Sequence, residues 1–312
     1  MKIRNLLLGL VALSVLSACK PPVASSEEEI SSSEPIPTTS GWVAPEPVRS
    51  PKPADFGFKT LPEYDGTYWN DIDFNLRGEA LKTALNQKMW ANFVKVDYST
   101  ALTAVREMDK DPKDAGKVLS IYDLKSHNAN VLSTWNREHA FPQSKLADGD
   151  DSLRAASNRK NISSDVANLF AADWDLNEVR SNNSYGEWNY EDDPETFYPF
   201  TTVNTANERT DSILRRGYFS PTRMVRGEIA RSQLYMLLMY PANCSITENF
   251  MIQTMLRWDL DYAPTIERDG QRQAGIEKYQ NTRNPFIDNR KLSCYIWGDF
   301  NQWTQDICAT VI

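Results

Sequence analysis

Trp135-Asn136-Arg137-Glu138-His139-Ala140-Phe141-Pro142-Gln143-Ser144 sets a carboxylate beside one of only two histidines in a chain of 312 residues. Neighbours on an extended strand point to opposite faces, so Glu138 and His139 can serve one chemical group only where a strand ends or bulges. Pro142, which cannot donate to a sheet ladder, allows such an end just after them. Further on, residues 166–172 (VANLFAA) lead through Asp173-Trp174-Asp175 into a helix expected near residues 176–180. Either Asp173 or Asp175 suits its N-cap. The order is strand, loop, helix.

These residues carry a coherent chemistry. His139, with an ordinary pKa near 6.5, is largely neutral at pH 7 and can take a proton from water. Glu138 and a second oxygen donor can hold a hard divalent cation such as Mg²⁺, which keeps several waters and needs few protein ligands. The helix near 176 offers Asn177, whose amide oxygen suits Mg²⁺, Ca²⁺ or Mn²⁺ and is a poor zinc ligand. Arg180 follows three residues on, on the same face, where a guanidinium can take phosphate oxygens bidentately. An activated water, a cation against developing negative charge and support for a leaving oxygen are the needs of phosphodiester hydrolysis. Taken singly, each residue has a structural explanation at least as good: a buried Glu-His pair, or an ordinary solvated helix face.

Outward from this stretch, the chain divides in three. Lys2 and Arg4 precede an apolar run at residues 6–16, which closes in Leu16-Ser17-Ala18-Cys19. The pattern predicts a secretion signal over residues 1–19, too short for a comfortable membrane span. Its small-small-Cys ending resembles the lipobox of bacterial lipoproteins, which implies lipidation of Cys19 and a covalent membrane anchor. Residues 20–55 are rich in Ser, Glu and Pro and poor in large apolar groups, so they are expected to form a disordered tether. As a flexible coil it would reach on the order of 30 to 35 Å. Residues 56–312 hold enough aromatic and aliphatic bulk for a sizeable core. Cys244, Cys294 and Cys308 remain there, an odd number, and the short loop favours Cys294–Cys308 as the single disulfide.

Charge runs against a nucleic-acid reading. Of the total of −8, residues 1–19 contribute +2 and residues 20–55 contribute −3, leaving −7 on the remainder, whereas phosphate binders usually carry a basic footprint. Residues 207–233 do hold six Arg against three acids, and residues 268–291 hold six Lys or Arg against three acids. They read as a cleft or as ordinary solvated faces.

Helical spacing predicts core-facing helices over residues 76–89, 230–240 and 248–258. Residues 118–124 (VLSIYDL) and 130–135 (NVLSTW) read as short strands around a polar turn at 125–130, with His127 exposed in that turn. Residues 148–164 read as a long polar loop. No nucleotide-binding glycine loop, His-Glu-x-x-His or Gly-x-Ser-x-Gly motif is present.

Five blocks in one order, WNREHAFPQS (135–144), SSDVANLF (163–170), LNEVRSN (176–182), VRGEIAR (225–231) followed by LYMLLMY, and NPFID (284–288), resemble the bacterial endonuclease I family. LRGEALKTAL resembles the family's opening helix, so the likeness covers roughly residues 62–300. It implies a mixed α+β nuclease domain over 56–312 containing a ββα-metal (His-Me finger) motif. The implied activity is secreted, largely sequence-nonspecific cleavage of DNA and often RNA, with one divalent cation, most simply Mg²⁺. By the resemblance His139 is the general base, Glu138 and Asn177 are the metal ligands, and Arg180 lies in the block whose Arg meets phosphate. Asp165 and Asn168 fall in the block that supports the site. Arg137, Arg226 and Arg231 are candidates for backbone contacts. Where the family usually reads Gly-Asn-Arg-Asn-Pro-Phe, this chain has Asn281-Thr282-Arg283-Asn284-Pro285-Phe286, which removes a glycine turn.

The expectation is therefore an exported enzyme acting on nucleic acid, held to the cell envelope by its lipid, on the outer membrane if the cell has one. No obligate protein partner is inferred. The rival from another class is a surface-displayed binding lipoprotein on a nuclease-like scaffold that no longer cleaves.

Overall fold

A computed structural model of the chain describes residues 57–186, 213–215, 218–244 and 249–311. The expected signal, Cys19 and the tether lie outside the described residues, as does Glu248.

Two strands and a helix form the centre of interest. β4 (Trp135–His139) runs antiparallel to β5 (Leu169–Asp173), with Trp135 opposite Asp173 and His139 opposite Leu169. β5 is buried at all five positions, as a near-continuous apolar run predicts. Its free edge takes partners from outside the sheet: Ile121 donates to the Ala171 carbonyl at 2.7 Å, and the Ala171 amide donates to the Asp109 carboxylate at 2.6 Å. β5 passes directly into α3 (Trp174–Arg180), because the Asp173 carboxylate accepts from the amides of Asp175 and Leu176 and so caps the first turn. The unit is a ββα motif.

The end of β4 is built with equal economy. Ala140 donates to the Asn168 carbonyl, and the Asn168 side chain then pairs both ways with Phe141, accepting from its amide at 2.6 Å and donating to its carbonyl at 3.0 Å. Asn168 thus acts as one further rung of the ladder before Pro142, which has no amide hydrogen to give.

Around this motif lie α1 (Gly78–Ala91), α2 (Tyr98–Met108), and a small antiparallel sheet of β1 (Lys110–Asp111), β2 (Asp114–Leu119) and β3 (Ser126–Asn128). β6 (Ser184–Tyr185) pairs in parallel with β8 (Tyr218–Ser220), whose other neighbour is antiparallel β7 (Ile213–Arg215). The helical remainder is α4 (Arg223–Met239), α5 (Asn249–Asp261), α6 (Gln271–Gln280), α7 (Pro285–Asp288), α8 (Leu292–Trp297) and α9 (Gln302–Cys308), with a π-turn at Ile266–Gly270 before α6. The domain is α+β. Helices expected at 76–89, 230–240 and 248–258 correspond to α1, α4 and α5. Leu81, Leu85 and Met89 form the buried stripe of α1, and each such side chain contributes on the order of 1.5 to 3 kcal/mol. Among the described residues no helix is long and apolar enough to cross a membrane.

α4 is buried almost throughout, so its charged residues need internal partners. Arg231 pairs with Asp269 at 2.8 Å and Asp259 at 3.4 Å, and Glu228 pairs with Arg268 at 2.9 Å. Arg272 pairs with Asp109 at 2.7 Å, bonds the Val166 and Leu169 carbonyls, and lies over the Phe170 ring, which anchors β5. Arg283 grips Asp288 with two nitrogens at 2.8 Å. Gly227 permits the close approach of α4 to its neighbour, since a Cβ there would stand 2.3 Å from the Tyr262 carbonyl oxygen. In the second basic stretch Arg268, Arg272 and Arg283 are thus internal ion-pair partners, and in the first Arg231 is.

Three expectations change. The strand over 118–124 stops at Leu119, and Leu124 takes a left-handed backbone with φ 52°. Residues 130–134 are turn, and the strand starts at Trp135. His127 is buried in β3, opposite Val118, and is not an exposed turn residue. In the Asn281-Thr282 departure, Asn281 closes α6 with φ 52°, the left-handed position that asparagine tolerates best after glycine. The Cys294–Cys308 disulfide joins α8 to α9, with Cα atoms 5.5 Å apart. Its loop is worth about 3 kcal/mol in the chain-entropy account. Cys244 is buried as a free thiol.

Candidate active site

A cavity of about 420 Å³ opens where β4 ends beside α3, lined by Arg137, Glu138, His139, Gln143, Arg154, Asn177 and Arg180 among others. Glu138 and His139 both reach it because they are the last two residues of their strand.

One nitrogen of His139, Nε2, lies 2.8 Å from the Ser163 carbonyl oxygen. A carbonyl only accepts, so Nε2 carries the proton and Nδ1 keeps its lone pair. Nδ1 accepts from Gln143 Nε2 at 3.1 Å, and Gln143 is itself held by the Ala155 amide at 2.7 Å. The ring stacks on Tyr98, with centroids 5.8 Å apart and planes 19° from parallel. Burial, reinforced by the charges of Arg137 and Arg180, pushes the His139 pKa down to about 4. At neutral pH the imidazole is unprotonated.

The Glu138 carboxylate is 4% exposed. Burial raises its pKa, and the Arg180 guanidinium opposes that shift. Arg180 donates to Glu138 Oε1 at 2.6 Å, and the Tyr122 hydroxyl donates to the same oxygen at 2.7 Å. This leaves Oε2 without a side-chain hydrogen bond. Arg180 is 1% exposed and also bonds the carbonyls of His139, Ser181 and Ala140, at 3.1, 3.2 and 2.7 Å. Its fork straps the last residues of β4 to the end of α3. On the facing turn, Asn177 Nδ2 donates to Asn136 Oδ1 at 2.5 Å, which identifies the remaining amide oxygen of Asn177 as an acceptor.

The other residues singled out in the sequence lie elsewhere. Arg137 stays at the cavity, with its guanidinium over the Tyr98 ring at 3.5 Å. Asn168 is one bond removed, holding Phe141 as described. Asp165 is buried and accepts from the Ala167 amide and the hydroxyls of Tyr235 and Tyr240, at 2.9, 3.1 and 2.6 Å. Arg226 bonds the Pro221 carbonyl and Ser220 Oγ, and lies over Trp258. With Arg231 ion-paired in the interior, neither of these two arginines lines the cavity. Sequence reasoning overlooked Gln143, the Ser163 carbonyl, Tyr98 and Arg154. Gln143 stands four residues after His139, a spacing that gave some signal; a main-chain acceptor gives none.

A family profile, Endonuclease I, matches residues 77–291. The chain belongs to the endonuclease I family. It is 27% identical over 241 residues to a protein named extracellular ribonuclease from Bacillus subtilis (strain 168), covering 70% of this chain and 75% of that one. It is 26% identical over 249 residues to an extracellular ribonuclease from Bacillus amyloliquefaciens, covering 74% and 78%. As an endonuclease I family member the chain is a hydrolytic nuclease whose substrate is nucleic acid. The family is metal-dependent, and the cavity has a donor set that fits a hard cation. Glu138 Oε2 and the Asn177 amide oxygen are both oxygens, and a Mg²⁺-like ion completes its shell with water.

Proposed function

We propose that this endonuclease I family member is an exported, lipid-anchored, metal-dependent endonuclease that cleaves DNA and RNA with little sequence preference. His139 is the general base, and Glu138 and Asn177 hold the cation. The observation that carries this reading is the tautomer of His139: Nε2 donates its proton to the Ser163 carbonyl, so the lone pair stays on Nδ1, where Gln143 now donates, at the lining of a cavity that also holds Glu138 and Asn177.

Once water displaces the Gln143 amide from Nδ1, His139 takes a proton from that water as it attacks the phosphorus and the bond to one ester oxygen breaks, the leaving oxygen being protonated from solvent; the depressed pKa keeps the ring neutral and able to accept. A divalent cation, when bound, supplies positive charge to the non-bridging and leaving oxygens. Arg180 acts as a positioning residue, since its two terminal nitrogens are engaged with Glu138 and three carbonyls. Arg137 and Arg154 are the cations placed to meet phosphate at the cavity. Such contacts touch the backbone only, which accounts for low sequence preference. RNA is included among the substrates because both relatives are named ribonucleases; export accords with their being named extracellular. The lipid anchor rests on the Leu16-Ser17-Ala18-Cys19 motif alone.

The test is cleavage of plasmid DNA and of RNA by purified protein. EDTA is expected to stop both and Mg²⁺ to restore them. Asn177→Ala is expected to need at least about tenfold more Mg²⁺ for half-maximal rate, in line with the cost of disturbing a metal's surroundings. Cutting that ignores the chelator, or an Asn177→Ala protein with an unchanged Mg²⁺ requirement, would contradict the assignment. A folded protein that cuts neither substrate under several metals would favour the binding lipoprotein.

A further inference from the structure

A second cluster forms where β3 meets the start of α3. Asp123, His127 and Asp173 bring one donor atom each to within 4.8 Å of one another, and the three residues are 5%, 4% and 8% exposed. His127 Nε2 lies 3.6 Å from Asp173 Oδ2, is buried, and has no hydrogen-bond partner. A buried ring nitrogen in that condition costs on the order of 1 to 3 kcal/mol and calls for an explanation. Burial, with the Asp173 carboxylate beside it, pushes the Asp123 carboxyl up to about 6. Two acids and an imidazole thus converge in the interior with one cation nearby, Lys125, whose Nζ is 3.0 Å from Asp173 Oδ2.

We infer that Asp123, His127 and Asp173 form a binding site for one divalent transition-metal cation of the zinc class, separate from the Glu138 and Asn177 pair. One imidazole nitrogen with two carboxylate oxygens is a zinc-type donor set, whereas Mg²⁺ prefers oxygen alone. The His127–Asp173 separation already approximates the edge, roughly 3.4 Å, of a tetrahedron with bonds of about 2.1 Å; with all three donor atoms within 4.8 Å of one another, no gap needs to close by more than about 1.4 Å to reach that edge. Lys125 is the competitor. Its side chain is 55% exposed, so it can turn to water when the ion arrives. Asp173 gives the site its role: Oδ1 caps the first turn of α3, and an ion on Oδ2 would fix that carboxylate and the helix that presents Asn177.

The test uses purified protein carrying Asn177→Ala, which weakens the proposed catalytic cation site, stripped of metal and then dialysed with ZnCl₂. About one zinc per chain is expected by elemental analysis. The midpoint of thermal unfolding should rise by roughly 5 °C or more at a hundredfold excess over the dissociation constant. Adding His127→Ala should abolish both effects. Lys125→Ala, a change at an exposed side chain, should tighten zinc binding several-fold by removing the competing ammonium. Zinc retention that survives His127→Ala overturns the inference, as does a Lys125→Ala protein that binds zinc no better. An equal thermal shift from MgCl₂ overturns the assignment of ion class. Loss of the nuclease reading at His139 would leave all these outcomes unchanged, so the two can fail separately.

Discussion

His139→Ala is expected to lower the rate of DNA and RNA cleavage by about 10²- to 10⁴-fold, the usual contribution of a positioned general base. The fold should survive. The imidazole contributes hydrogen bonds to the Ser163 carbonyl and from Gln143 and one stacking contact with Tyr98, together worth about 2 to 4 kcal/mol. Substrate affinity should change little, because His139 is unprotonated at neutral pH and offers phosphate no charge. The loss should therefore appear in kcat and not in KM. A variant that cuts as fast as the parent would remove His139 from the chemistry. A variant whose KM rises while kcat holds would make it a binding residue.

Arg180→Ala should behave in the opposite way and damage the protein before it damages the reaction. Its charge is buried against the buried Glu138 carboxylate at 2.6 Å, and both side chains are 5% exposed or less. Removing one partner of such a pair leaves the other charge uncompensated, which typically costs 3 to 5 kcal/mol. For a domain of this size that corresponds to a fall of roughly 10 °C in Tm. Arg180→Lys should recover little, since one ammonium cannot span Glu138 and the His139, Ala140 and Ser181 carbonyls that the guanidinium fork reaches. Differential scanning calorimetry of both variants decides the matter. If Tm is unchanged and only cleavage falls, Arg180 is a free phosphate ligand, as the sequence alone suggested, and not the strap that the geometry describes.

That difference shows where sequence reasoning ends. The ββα motif was legible because its signals are local: an apolar run of strand length, an aspartate placed to cap the next helix, and a proline ending the first strand. α1, α4 and α5 declared themselves by periodicity. The small sheet did not. β3 is only Ser126-His127-Asn128, a polar triplet whose central residue is buried by its pairing with Val118. The hydrophobic residues Ile121 and Tyr122, read as strand, are buried in a turn instead. The fates of Arg226 and Arg231 were illegible for a different reason. The Arg231 partners lie 28 and 38 residues away in sequence, and nothing local distinguishes an arginine bound for an internal carboxylate from one bound for phosphate.

The inward-turned arginines also bear on how the protein meets a polyelectrolyte. A nucleic acid is surrounded by condensed counterions, and binding gains entropy for each one that a protein cation displaces. Arg231, Arg268, Arg272 and Arg283 are matched to carboxylates inside the fold and displace none. Of the three arginines that line the cavity among the described residues, Arg180 is spent on Glu138; with Arg137 and Arg154 meeting phosphate, the slope of log affinity against log salt should be near −2, at about −0.9 per phosphate neutralised on duplex DNA. Such an enzyme would lose about a hundredfold in affinity per tenfold rise in salt, a far gentler fall than that of a protein meeting six to ten phosphates, which would suit the exported role proposed above.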